Sequence, residues 1–119
     1  MSGVAANVAA VAVNPSSTQT VYAGAKAGTG LTSGVFKTTT GGSTWTLMNS
    51  GLTTTDVRAL VFDASPMLSL YAGTNGGGVF KSTDGGKSWK KVFYVDANTG
   101  ANTIVMDAKN PSVLYVAIP

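Results

Sequence analysis

The acidic side chains limit the chemistry that this chain of 119 residues can perform, because five aspartates are its only carboxylates and it has no histidine or cysteine. A histidine base, a thiolate nucleophile and a Cys/His metal site are therefore excluded. A glycosidase needs two carboxylates that flank the bond it breaks. Asp84 lies in a glycine-rich turn, and Asp63 and Asp107 occupy one repeated position after a strand, which leaves Asp56 and Asp96.

A small group of polar and aromatic residues predicts a binding site. Arg58 is the only arginine and can give a bidentate pair to an acidic group, and Tyr94 offers a flat face to a sugar or peptide. The alternative interpretation is that these side chains are solvated loop residues. The candidate ligand-binding residues are Asp56, Arg58, Tyr94, Asp96 and Asn98.

Two copies of a short polar motif indicate tight turns with a structural role. In residues 82–89, Asp84 can accept hydrogen bonds from the turn's own amides, the glycines permit the turn, and a tryptophan follows that predicts a buried ring. In residues 38–45, Thr40 replaces the aspartate, and its hydroxyl makes the same bond more weakly. The residues assigned to the turns are Ser82, Asp84, Gly86, Ser88 and Trp89, with Gly42 and Trp45 in the first copy.

The elements that must hold these turns come from an internal repeat. In three copies, the first apolar residue of one predicted strand is followed 11 positions later by a tyrosine in the next predicted strand. The tyrosines are at positions 22, 71 and 115. Each full repeat predicts four short strands separated by clusters of Gly, Pro, Asn and Asp, and no stretch has helical periodicity. Four strands per 40 to 50 residues are typical of a propeller blade. A β-sandwich is possible but does not require the repeated spacing.

The strand count predicts an all-β chain of propeller blades, each of four antiparallel strands, in an incomplete ring. Residues 1–56 form a first blade with the degenerate turn, 57–102 a second with the intact turn, and 103–119 the first two strands of a third. These are about two and a half blades, whereas closed propellers have about 4 to 8. One chain therefore cannot close a ring.

The motif Ser-x-Asp-x-Gly-x-(Ser/Thr)-Trp at 82–89 resembles the Asp box, or BNR repeat, of sialidase-like β-propellers. The flanking stretches 71–73 and 78–81 are also similar to that family, and the resemblance covers essentially the whole chain. It implies that the box joins the third and fourth strands of a blade, on the face opposite the active site. The family includes sialidases, xyloglucan-degrading glycoside hydrolases, sorting receptors and photosystem assembly factors, so it does not select one activity.

Charge and hydropathy add further expectations. The net charge of +3 is too small to argue for nucleic acid, and the lysines at 81, 87, 90 and 91 fit protection of a sheet edge. No run approaches the ~18 apolar residues of a membrane span. The Ala/Val-rich start lacks a basic region, so we expect no signal peptide. We expect no cofactor, metal, nucleic acid or membrane partner, and the sequence leaves the compartment open.

The resulting functional prediction is a noncatalytic propeller building block that completes a ring by association. The partner is another copy, in a dimer or trimer, or a complementary propeller fragment, and a carbohydrate is the candidate ligand. The alternative is a fragment of an Asp-box glycoside hydrolase, sialidase-like or xyloglucanase-like.

Overall fold

A computed structural model of the chain describes residues 5–63, 69–93, 103–106 and 114–117, with side chains for 5–62 and 69–92. Within these ranges the regular structure is entirely β. The strands are β1 (Asn7–Val13), β2 (Val21–Lys26), β3 (Gly34–Thr38), β4 (Thr46–Leu47), β5 (Val57–Asp63), β6 (Ser69–Thr74), β7 (Gly78–Ser82), β8 (Lys90–Phe93), β9 (Thr103–Met106) and β10 (Leu114–Ala117). No helical segment long and apolar enough to cross a bilayer occurs in the part of the chain that the structure describes.

The strands form two four-stranded antiparallel sheets and one two-stranded sheet. β1 to β4 pair in chain order in the first sheet, β5 to β8 do so in the second, and β9 pairs with β10. This arrangement confirms the all-β prediction and the incomplete propeller. The fourth strand of each sheet begins one residue after its tryptophan, Trp45 or Trp89, so both indoles belong to the turns.

The two large sheets repeat each other in register. Tyr22 lies opposite Ala12 in the first sheet, and Tyr71 lies opposite Val61 in the second. The pairing of the first two strands of each sheet also contains one irregularity at the same place, between Val8 and Ala10 and between Val57 and Ala59. The repeat in the sequence therefore corresponds to a repeat in backbone geometry, and positions in the two sheets can be compared one by one.

The core lies between these sheets, where β5 packs against β1 and β2. Tyr22 and Val35 of the first sheet share one buried cluster with Leu60, Phe80 and Trp89 on the second-sheet side. Burying each such apolar side chain contributes about 1.5–3 kcal/mol. At Gly24, a Cβ atom would lie 2.7 Å from Cγ1 of Val57, so glycine permits the close approach of the sheets.

Candidate functional site

Asp56 ties three segments together at one end of the sheets. Its Oδ1 accepts hydrogen bonds from the backbone N–H of Ala27 at 2.9 Å and from Nε of Arg58 at 3.2 Å. Its Oδ2 accepts hydrogen bonds at 3.1 Å from Nη2 of Arg58 and from Nδ2 of Asn75. The carboxylate thereby joins the loop after β2, the start of β5 and the turn between β6 and β7.

The surroundings of Asp56 keep its carboxylate charged. Partial burial raises the pKa of Asp56, but hydrogen bonds from Arg58, Ala27 and Asn75, together with the positive charge of Arg58, outweigh it. The pKa of Asp56 therefore lies below its usual value. A general acid requires the opposite shift, so this environment suits an ion pair better than proton donation.

The structure brings together two of the five candidate ligand-binding residues. Asp56 and Arg58 form a two-bond ion pair, and Tyr94, Asp96 and Asn98 lie outside the described residues. The sequence predicted that the Arg58 guanidinium would donate two hydrogen bonds to an acidic ligand. In the structure its Nε and Nη2 donate to the Asp56 carboxylate. Ligand binding by the five remains a prediction.

Sequence reasoning missed the other two partners of this cluster. Ala27 precedes Asp56 by 29 positions and contributes only its backbone N–H, while Asn75 follows Asp56 by 19 positions. A backbone donor has no residue-type signal, so no motif could have identified Ala27. The position of Asn75 in the Asn75–Gly78 turn indicated a turn but not its partner.

The turn at 82–89 is stabilised by one carboxylate. Oδ1 of Asp84 accepts from Oγ of Ser82 at 2.8 Å and from the backbone N–H of Ser88 at 3.0 Å, and Oδ2 accepts from Oγ of Ser88 at 2.6 Å. Ser82 in turn accepts from the N–H of Gly86 at 2.8 Å. The hydrogen bonds from Ser88 and Ser82 lower the pKa of Asp84 to about 2.

The turn at 38–45 contains the same contacts with hydroxyls and longer distances. Oγ1 of Thr40 accepts from the N–H of Thr44 at 3.1 Å and lies 3.3 Å from the Thr44 hydroxyl. Oγ1 of Thr38 accepts from the N–H of Gly42 at 3.0 Å. Thr40 therefore takes the position of Asp84 without its charge, and Gly41 and Gly42 keep the positive φ angles of the turn.

The second turn also connects the two sheets. The Trp89 indole N–H donates to the carbonyl of Met48 at 2.9 Å, and its backbone N–H donates to Ser50 at 2.9 Å. The Tyr22 hydroxyl donates to the carbonyl of Gly85 at 3.0 Å. The turn thus serves as an attachment point between blades as well as a hairpin.

A groove of about 360 Å³ opens between the sheets beside this turn. The Tyr22 and Phe62 rings stack there with centroids 6.1 Å apart, and Nζ of Lys37 lies 5.5 Å from the Tyr22 centroid. Asp84 lines the same groove. Asp56 precedes the first residue of β5 and Phe62 is near its end, so the groove and the Asp56 cluster lie at opposite ends of the strands.

The two repeated four-stranded sheets, packed face to face, define a section of a β-propeller. No protein-family model matches the chain, and no curated protein matches it. Among solved structures, the chain is similar to an ancestral GH74 enzyme, a β-propeller glycoside hydrolase, with a TM-score of 0.71 and 25% sequence identity. The match covers 95% of this chain and 16% of that enzyme, so the chain spans a minor part of its length.

Proposed function

We propose that the chain is a noncatalytic section of an Asp-box β-propeller of the glycoside hydrolase type, and that it completes a ring by associating with further blades. The similarity to the GH74 enzyme supports the glycoside hydrolase relationship at the level of the family. The three hydrogen bonds that the Asp84 carboxylate accepts support the assignment of the 82–89 turn as an Asp box. The described carboxylates support the noncatalytic role.

Asp56 and Asp84 are poorly placed to act as a hydrolytic pair. Asp56 accepts four hydrogen bonds and Asp84 three, so both carboxylates already have internal partners. They lie near opposite ends of the second sheet, whose β5 strand of seven residues spans roughly 20 Å. The carboxylates of retaining and inverting glycosidases are only about 5 to 9.5 Å apart.

The observation that carries the association is the unequal burial of the two large sheets. Three valines of β1, namely Val8, Val11 and Val13, are exposed large apolar residues, whereas β5 packs against the first sheet. Light scattering coupled to size exclusion tests this directly. We expect a mass above the 12.0 kDa of one chain, and a folded 12.0 kDa species at all concentrations would contradict the proposal.

The alternative is a catalytic fragment of a glycoside hydrolase, and the GH74 neighbour is the observation that favours it. Incubation with xyloglucan and with a sialoside, followed by measurement of released sugar, separates the two functions. The noncatalytic proposal predicts no hydrolysis by the wild-type chain. Hydrolysis that disappears in Asp56→Asn, with the fold retained by circular dichroism, would establish the alternative.

A carbohydrate remains the candidate ligand of the Asp56 end of the sheets. Arg58→Ala and Tyr94→Ala are each expected to weaken binding on a glycan array by at least tenfold without changing the mass of the assembly. Lys87→Ala, in the turn at the opposite end of the strands, is the control and should leave binding unchanged. Unaltered binding in both test variants would remove these residues from the site.

A further inference from the structure

Two exposed valines of β1 occupy positions that are buried in β5. By the register of the two sheets, Val8 corresponds to Val57 and Val11 corresponds to Leu60. Val8 and Val11 are 42% and 58% exposed, whereas Val57 and Leu60 are 0% and 8% exposed. The same face of the repeat is thus covered in the second sheet and open in the first.

The strand that covers β5 shows what kind of strand the exposed side of β1 requires. This strand is β2, with Gly24 so close that its Cβ would meet Cγ1 of Val57 at 2.7 Å and Cδ1 of Leu60 at 3.3 Å. Two positions before Gly24, the Tyr22 hydroxyl donates to Gly85. The covering strand therefore carries a glycine at the point of closest approach, two positions after its tyrosine.

The first turn is open where the second is covered. A Cβ at Gly85 would meet Nζ of Lys37 at 3.3 Å and the hydroxyl of Tyr22 at 3.5 Å, but a Cβ at the equivalent Gly41 would meet nothing within 4 Å. The first turn therefore lacks, at Gly41, the covering contact that Tyr22 and Lys37 make at Gly85 in the second turn.

The chain contains a further strand that corresponds to β2 in register. Tyr115 of β10 pairs with Val105 of β9 as Tyr22 pairs with Ala12, which places Ala117 at the position of Gly24. β9 already lies beside β5 and β6 of its own chain. The β9–β10 hairpin thus continues the order of sheets at the end opposite the open valine face.

We propose that the valine face of β1, defined by Val8, Val11 and Val13, binds the β9–β10 hairpin of a second copy of this chain. The inference rests on the proposed function and names its interface. In this arrangement β10 of the second copy lies against β1 as β2 lies against β5, with Tyr115 and Ala117 at the register positions of Tyr22 and Gly24. The interface is head-to-tail, so it closes into a ring or continues as a filament.

Counting the sheets indicates how many copies close the ring. The described residues of one chain form two four-stranded sheets and one two-stranded sheet, so two copies joined at both ends supply six such sheets. This number lies within the about 4 to 8 blades of closed propellers, and three copies would exceed it. The expected assembly is a dimer of twice 12.0 kDa.

Pairs of single cysteines test the interface, because the chain has no cysteine of its own. We expect a mixture of Val8→Cys chains and Ala117→Cys chains to form a disulfide-linked dimer under mild oxidation, since by register these positions correspond to Val57 and Gly24, where β5 and β2 come close together. A mixture of Val92→Cys and Ala117→Cys chains is the control and should stay unlinked. Efficient linking of Val8→Cys to itself would overturn the proposal, because it requires two valine faces to meet.

A charge on the valine face gives a second test that does not depend on disulfide geometry. Val11→Asp is expected to raise the dimer dissociation constant at least tenfold, while Val92→Asp, at an equally exposed valine of β8, leaves it unchanged. If the wild type is an oligomer but Val11→Asp leaves its dissociation constant unchanged, and Val8→Cys and Ala117→Cys chains do not link, this interface is overturned. The proposal that the chain completes a ring then still stands. A wild-type monomer overturns both.

Discussion

At the scale of single residues, Asp84 and Thr40 occupy one position in two copies of the same turn and differ in charge. The carboxylate of Asp84 accepts hydrogen bonds from two hydroxyls and one backbone N–H. At the same position, the single hydroxyl oxygen of Thr40 accepts a hydrogen bond from the backbone N–H of Thr44. Hydrogen bonds to a charged acceptor are stronger than neutral ones. The stability of the two turns should therefore respond differently to pH.

The lowered pKa of Asp84 predicts a loss of stability in acid. Its pKa is about 2 in the fold against an ordinary value of 3.8, so the folded state favours the charged form. This contribution is fully present above pH 3.8 and is lost as the pH falls towards about 2. Urea unfolding between pH 5 and 2 should show a steep fall in the free energy of unfolding for the wild type and a shallower one for Asp84→Asn. Parallel curves would contradict the assigned role.

The same comparison predicts that Thr40→Asp stabilises the first sheet. A carboxylate at this position can accept from both the N–H and the hydroxyl of Thr44, as Asp84 does from Ser88. We expect the unfolding midpoint to rise by roughly 2–5 °C. The neighbouring Thr39→Asp adds the same charge on an exposed side chain outside these bonds, so it should not raise the midpoint. Equal shifts in the two variants would point to net charge instead.

The residue scale also shows what could be predicted from the sequence. The bonds of Asp84 stay within four positions of the chain, so residue types at fixed spacing predicted them. The bonds of Asp56 to Ala27 and Asn75 join distant segments, and no local pattern contains them. Arg58 is only two positions from Asp56, and the sequence did not show that the two side chains would pair with each other instead of with a ligand.

At the scale of elements, the close approach of β2 and β5 depends on one glycine. Val57 is fully buried and β-branched, so its methyl group has little freedom to move away from a new side chain at Gly24. Overpacking of such a core costs about 1–3 kcal/mol. We therefore expect an alanine at Gly24 to lower the free energy of unfolding more than an alanine at a glycine that faces the end of an exposed side chain.

Gly24→Ala tests this dependence against a matched glycine. We expect the free energy of unfolding to fall by about 1–3 kcal/mol in chemical denaturation. A Cβ at Gly28 would also meet an atom at 2.7 Å, but that atom is the end of the exposed Leu31 side chain, so Gly28→Ala should cost less than about 0.5 kcal/mol. Similar losses in both variants would show that the sheets adjust to the added methyl group.

The elements were largely predictable because the repeat is visible in the sequence. The strands that contain Tyr22, Tyr71 and Tyr115 are present where the repeated spacing predicted them. The attachment of the turns to the other sheet was not predictable in detail. The acceptor of the Trp89 indole is the backbone of Met48, 41 positions earlier, and a backbone carbonyl has no signal of its own.

At the scale of the whole molecule, an association that buries the valine face should make stability depend on protein concentration. Binding to the folded state alone raises its apparent stability by mass action. We expect the thermal midpoint of the wild type to rise as the concentration increases from 1 to 100 μM, on the order of 10²-fold. In Val11→Asp the midpoint should be constant over the same range. A constant midpoint in both proteins would contradict association at this face.

The approach of β2 to β5 at Gly24 has a geometric consequence beyond stability. The spacing at this point acts as a wedge that sets the angle between the first and second sheets. A constant angle decides whether a series of sheets meets its own beginning or spirals past it. A bulkier residue at Gly24 would therefore widen the wedge and change the curvature of the assembly, turning a circle into a helix.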